Sequence, residues 1–310
     1  MSSSHTPLVA ARRRSGAGLL YLIVSGMLLG TGGITGRLLS HVTGLSPVAV
    51  ASYRLAVGGG LIMVFLALTG RRLPRGRTAW ARIAVVGALA AIYQACYFAS
   101  VSVTSVSLAT LITIGAFPVL VSVMEAATGR RRIDRRMLGT AGLALAGLGL
   151  LVGLPSGGFG AGAVLAGTGL AVIAAGGFAT VSIVVATPVD GLDELSTTGL
   201  GFTVGGLILI PVAGVSVGLS FRPGAVALGL LIALGTVPTA VAYTLYFRGL
   251  RSISTSTAAV ITLLEPLTSA ILAALLLRDR LSAAGIVGAV LLTAAVILTA
   301  KASREQMAIA

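Results

Sequence analysis

Side chains that do chemistry are scarce in this chain of 310 residues. It has one cysteine, Cys96, and two histidines, His5 and His41. A single thiol closes no internal disulfide, and with no Cys or His cluster a metal site is not expected. Aspartate and glutamate together number 8, and only Glu125 and Glu265 fall inside long apolar runs. A membrane-embedded enzyme acting on lipid-linked substrates would need clustered acids or histidines for metal or acid–base work. Two isolated glutamates argue against one. The pattern GxxxxGK[ST] is absent, which excludes direct ATP hydrolysis. The glycine-rich "GTGGITG" from Gly30 to Gly36 follows no strand and lies in an apolar run, so it is a poor phosphate cradle. No cofactor is expected.

Charge is scarce as well, at 10% of residues where a soluble domain carries roughly a quarter. What fills the chain instead is apolar: 56% hydrophobic residues and a mean hydropathy of +1.04. A helix needs about 20 apolar residues to cross a bilayer, and ten runs approach or exceed that length. They are Gly16 to Leu39, Pro47 to Leu68, Ile83 to Val101, Val106 to Thr128, Met137 to Gly153, Gly160 to Ala186, Leu195 to Ser216, Ala225 to Phe247, Ile253 to Leu277 and Ser282 to Ala300. The fold class is therefore an all-α integral membrane protein of ten transmembrane helices.

Basic residues orient it. Arg12, Arg13 and Arg14, five arginines from Arg71 to Arg82, five from Arg130 to Arg136, and Arg248, Arg251, Lys301 and Arg304 fall on one side of a ten-helix zigzag, making 17 of 22. The positive-inside rule makes that side, with both termini, cytoplasmic. The other side holds Arg37, Arg222, Arg278 and Arg280. The acidic loop "PVDGLDEL", Pro188 to Leu195, sits on the cytoplasmic side against this trend, though acids weigh little in the rule. The net charge of +14 reads as orientation and attraction to anionic membrane lipids rather than nucleic-acid binding. The basic start and apolar first run resemble a signal peptide, but nine comparable runs follow, so an uncleaved first helix is expected. Twenty-one arginines against one lysine hint at a GC-rich bacterial genome and hence a bacterial inner membrane.

Two stretches recur. "CYFASVSVTSVSLATLITIGAFPVL" and "LYFRGLRSISTSTAAVITLLEPLTS" share a Tyr-Phe pair, a Ser/Thr-rich helix start and a proline, Pro118 and Pro266, about 148 residues apart. "GAG" at positions 16 and 160 precedes Gly32-Gly33 and Gly176-Gly177 by equal distances. The chain is thus two five-helix units, residues 16–153 and 160–300, between cytoplasmic tails 1–15 and 301–310. An odd number of helices per unit inverts the second, and such architectures place a substrate site near mid-membrane between the units.

With "SPVAVASYRLAVGG" in the second helix and "AAVITLLEPLTSAILAALLLRDRLS" in the ninth, nearly the whole chain resembles the drug/metabolite transporter superfamily, of the type with two EamA domains. Members typically carry Gly-Glu just after the fourth and ninth helices, where this chain has "TGRRRID" and "LRDRLS". The resemblance implies a secondary transporter, with bacterial exporters of amino acids, aromatic ones included, among its relatives. Cationic drugs, nucleosides and sugars are the alternative solutes. Ten helices suffice for a complete pathway in a monomer.

Glu265 is the costly residue, about 18 Å from either surface, and Pro266 beside it deprives the Thr262 carbonyl of a donor. Glu265 either lines the transport path, as a proton-responsive gate or a ligand for a substrate amine, or forms a structural ion pair with Arg54. Pro118 and Pro266 are expected helix breaks. Glu125, near the cytoplasmic end of its helix, is expected to bridge to Arg130, Arg131 and Arg132. Tyr93 and Tyr97 near one mouth, and Tyr243 and Tyr246 near the other, are read either as alternating gates around a pocket with Gln94 and Phe178, or as headgroup anchors. Gly32, Gly33, Gly176 and Gly177 are expected packing surfaces.

Overall fold

In a computed structural model the chain is described over residues 6–130, 134–153, 159–276 and 282–309, with side chains from 16 to 305 of these. Arg131, Arg132, Arg278, Asp279 and Arg280 lie outside the described residues, as do the side chains of Arg12 to Arg14.

Helices form where the apolar runs predict them, and several begin at a side-chain cap. Ser46 before α2 (Pro47–Leu68), Ser105 before α4 (Val106–Ala127), Asp134 before α5 (Arg135–Val152) and Asp193 before α7 (Glu194–Ser216) each accept a hydrogen bond from a backbone N–H three residues on. The longer helices α1 (Thr6–Thr43), α3 (Arg77–Val103), α6 (Ala161–Ala186) and α12 (Ala283–Ile309) complete the regular spans.

The remaining two spans are irregular. The eighth is α8 (Ala225–Gly235), a π-helical segment Thr236–Val241, and α9 (Ala242–Gly249). The ninth is α10 (Thr255–Ile261) and α11 (Leu264–Leu276), separated by Thr262 and Leu263. Among the described residues, ten segments are long and apolar enough to cross a membrane. Large exposed apolar side chains such as Leu165, Val215 and Leu275 face outward, as lipid contact requires.

Pro266 breaks its span but Pro118 does not: α4 runs unbroken through it, as α7 runs through Pro211. A proline removes one donor, which a membrane helix tolerates when its flanking turns are held. Around Pro118 they are held by buried Phe117 and Val121, and Ser122 donates to the Pro118 carbonyl.

The two halves interlock. Helix α1 packs on spans eight and nine, and α6, its counterpart, packs on α3 and α4; α2 lies on α7, and α5 on α12. Glycines permit the closest approaches. A Cβ on Gly30 would lie 2.6 Å from the Glu265 carbonyl oxygen, and one on Gly33 would lie 2.7 Å from the Ser269 hydroxyl. Gly32 faces Pro238, and Gly177 makes ordinary contact with α3. Gly176 is not a packing surface: its Cβ would meet open space, because it lies on a partly exposed face of α6 while Gly177 points inward.

Candidate functional site

Pro238 gives Leu234 no backbone donor. The Thr239 hydroxyl replaces it, donating to the Leu234 carbonyl at 2.7 Å. The same oxygen accepts from Arg54 Nε at 2.9 Å, and the Pro238 carbonyl accepts from Arg54 Nη2 at 3.1 Å. The guanidinium also sits 5.9 Å from the Tyr243 ring centroid, within the range of a cation–π contact. A π segment thus holds an arginine placed well inside an apolar run; such segments recur at functional sites.

Glu265 occupies the first turn of α11, midway along the Thr255–Leu276 span. The Thr262 carbonyl that Pro266 leaves without its usual donor accepts from the Glu265 N–H at 2.9 Å, a tighter turn that ends α10. The Glu265 side chain makes no hydrogen bond or ion pair among the described residues, and it is only partly buried. The expected Arg54–Glu265 ion pair does not form, because Thr239 and Pro238 hold the guanidinium on another helix. Arg54 and Glu265 both adjoin α1: a Cβ on Gly32 would lie 3.8 Å from Arg54 Cζ, and Gly30 lies against the Glu265 backbone.

Tyr93, Tyr97 and Tyr243 belong to one aromatic cluster with Phe178 at its centre. Its ring centroid lies 4.6 Å from Phe117, 5.4 Å from Tyr93, 5.6 Å from Tyr246 and 6.1 Å from Tyr243. Tyr97 extends the cluster through Tyr93, and Phe202 through Tyr243 at 4.7 Å. A narrow cleft opens onto Leu55, Ala90, Tyr93, Gln94, Phe178, Val181, Phe202 and Tyr243, contributed by spans two, three, six, seven and eight. Gln94 is 5% exposed, and its amide finds no hydrogen bond among the described residues.

The cleft is shut toward the face that carries both termini. There α9 packs on α6 and α7, and α10 on α4 and α6; the opposite halves, α8 and α11, make no comparable contacts with α3, α4, α6 or α7. Tyr246 is 1% exposed and shares a 2.9 Å hydrogen bond with Ser182, whereas Tyr97, toward the other face, is only partly buried and bonds Thr110 at 2.7 Å. The two tyrosines differ in burial as well as depth.

Glu125 reinforces the shut side, in a way that corrects the expected bridge to arginine. It is 6% exposed and accepts from the N–H groups of Thr255 and Ser256 at 3.0 and 3.3 Å. Arg130 turns away, to the Ile183 carbonyl and the Thr187 hydroxyl, and Arg82 donates to the carbonyls of Val184 and Thr187. Both arginines thus close the C-terminal end of α6, where carbonyls lack helical partners. The acidic loop is occupied too: Asp193 pairs with Arg71 at 2.7 Å and Glu194 with Arg251 at 3.0 Å.

The predicted Tyr93, Gln94, Phe178 and Tyr243 meet at the cleft, Tyr97 and Tyr246 adjoin it through the ring contacts, and Arg54 adjoins it through the Tyr243 ring; Glu265, on the ninth span, is not among its lining residues. Phe117, Phe202, Pro238 and Thr239 were not anticipated from sequence. Pro238 followed by a hydroxyl residue inside an apolar run was the available signal.

Comparison with known proteins bears on the family and the fold. A Bacillus subtilis (strain 168) protein described as an uncharacterized transporter, YwfM, is 25% identical over 287 residues, spanning 93% of this chain and 95% of that one. A solved crystal structure of a protein 19% identical superposes with a TM-score of 0.73 over 96% of this chain and 99% of its own. That likeness concerns the fold. The EamA-like transporter family matches twice, over residues 16–153 and 165–301, and the chain belongs to that family.

Proposed function

We propose that the protein exports small amphiphilic metabolites, chiefly neutral and aromatic amino acids, across a bacterial inner membrane by alternating access at the repeat interface. The face carrying the termini is the cytoplasmic one, as its arginines argue. The state described is then closed inward, with Tyr246 and Tyr97 as the inner and outer gates. One observation carries the reading: a mid-membrane cleft walled by stacked rings adjoins an incompletely bonded guanidinium, with an unpaired carboxylate on the ninth span against the same helix, α1. Rings suit apolar side chains, and the charges suit a polar head. The family's role as transporters and the absence of clustered acids argue against catalysis.

The test is counterflow of labelled amino acids into liposomes containing the purified protein, with and without a pH gradient. Saturable flux of phenylalanine and leucine is expected, and its response to the gradient should disappear in Glu265→Gln if that carboxylate carries the proton. A second reading, export of cationic amines, is favoured by an unpaired carboxylate together with the aromatic walls of the cleft. Amines moving while amino acids do not would establish it.

A further inference from the structure

Arg54 has five N–H donors. Nε and Nη2 reach toward Thr239 and Pro238 and use one each. The end-on pair, one N–H from Nη1 and one from Nη2, is left without a partner among the described residues, in the geometry that matches two carboxylate oxygens. Thr239 and Pro238 hold the group in place, so little side-chain freedom is lost when those donors are used. Glu265, acceptor-only when ionised, is likewise unpartnered and partly accessible. It sits at the N-terminal turn of α11, a 13-residue helix. Both residues adjoin α1 at neighbouring positions, Arg54 at Gly32 and Glu265 at Gly30, without forming an ion pair.

Resting on the transport reading, we infer that Arg54 and Glu265 divide the recognition of a zwitterion, Arg54 taking the carboxylate and Glu265 the ammonium of a free amino acid. The argument is one of sign. An amine without a carboxylate gains from Glu265 but is repelled by Arg54; an acid without an amine meets the reverse. Only a ligand bearing both charges satisfies both groups, so each residue excludes the wrong class as it accepts the right one. Gln94, buried and unbonded on the cleft wall, offers the polar head a neutral donor and acceptor. The side chain then falls among Tyr93, Phe178, Phe202 and Tyr243.

The experiment is competition against labelled phenylalanine counterflow by phenylalanine, phenylalaninamide and N-acetylphenylalanine. The wild type should favour the intact amino acid over each blocked analogue by roughly 10- to 100-fold, the range of a charged hydrogen bond. Arg54→Gln should lose discrimination against the amide alone, and Glu265→Gln against the N-acetyl compound alone. Arg54→Lys, which keeps charge without the fork, should retain a weaker preference for the acid. Equal competition by all three ligands, with phenylalanine flux intact, overturns the inference and leaves the transport reading standing. Loss of discrimination against both analogues in either variant also overturns it, as a general distortion of the site. If no amino acid moves or competes, both readings fall.

Discussion

The third and fourth spans of the two repeats are counterparts, yet one pair is regular and the other is not. Tyr97 lies 21 positions past the cap Gly76, while Tyr246 lies 22 past Gly224; the extra residue is taken up by the π segment. Pro118 lies 13 positions past the cap Ser105, while Pro266 lies 12 past Ser254, and only the second span breaks. The first repeat thus supplies straight walls, α3 and α4, carrying Tyr93, Gln94, Tyr97 and Phe117. The second supplies irregular backbone, and that irregularity organises the charges: Pro238 and Thr239 hold Arg54, and the turn at Thr262 presents Glu265. The repeats share a fold and divide the labour.

The sharpest way to break this comparison is to restore a donor at each proline. Pro266→Ala allows a continuous ninth helix and would shift Glu265; flux should fall about tenfold, the cost of a small misplacement, while thermal stability rises by up to about 3 kcal/mol. Pro118→Ala, in a helix already continuous, should leave flux within about twofold. Equal effects would mean that the break does not matter.

Among the described residues Glu125 has no counterpart that bonds across the other face, so Glu125→Gln should loosen the terminal side selectively. The loss of charged hydrogen bonds to Thr255 and Ser256 predicts a stability decrease of about 1.5 to 3 kcal/mol. A cysteine placed at Val181, in a protein with Cys96 replaced, should react faster with an impermeant thiol reagent applied from that side. The glycines give the smallest contrast. Gly30→Ala should cost about 1 to 3 kcal/mol by overpacking against Glu265 and Thr268, and Gly176→Ala, facing open space, should leave the melting temperature unchanged.

Much of the fold was legible because depth in a bilayer is written in composition. Ten apolar runs became ten spans, and the recurring Tyr-Phe and proline positions gave the repeat. Depth also placed Glu265 near the middle. Rotation about each helix axis was not legible, and the Arg54 partner depended on it: Thr239 is on a different span, 185 positions away. Glu125 shows a second limit. Its partners are backbone N–H groups 130 and 131 positions later, which no side-chain pattern advertises. Phe117 and Phe202 were hidden for a third reason, since an aromatic residue in an apolar run looks the same whether it faces lipid or a cleft.

The pairing of Arg71 with Asp193 also has an order in time. The two residues are 122 positions apart, so at roughly 5 to 20 residues per second the ribosome makes the arginine some 6 to 24 seconds before its partner. Through that interval Arg71 is a bare charge, which the positive-inside rule reads as a topological signal. Once the second repeat arrives, Asp193 pairs with Arg71. Residues that steer insertion are thereby recruited as fastenings of the finished protein.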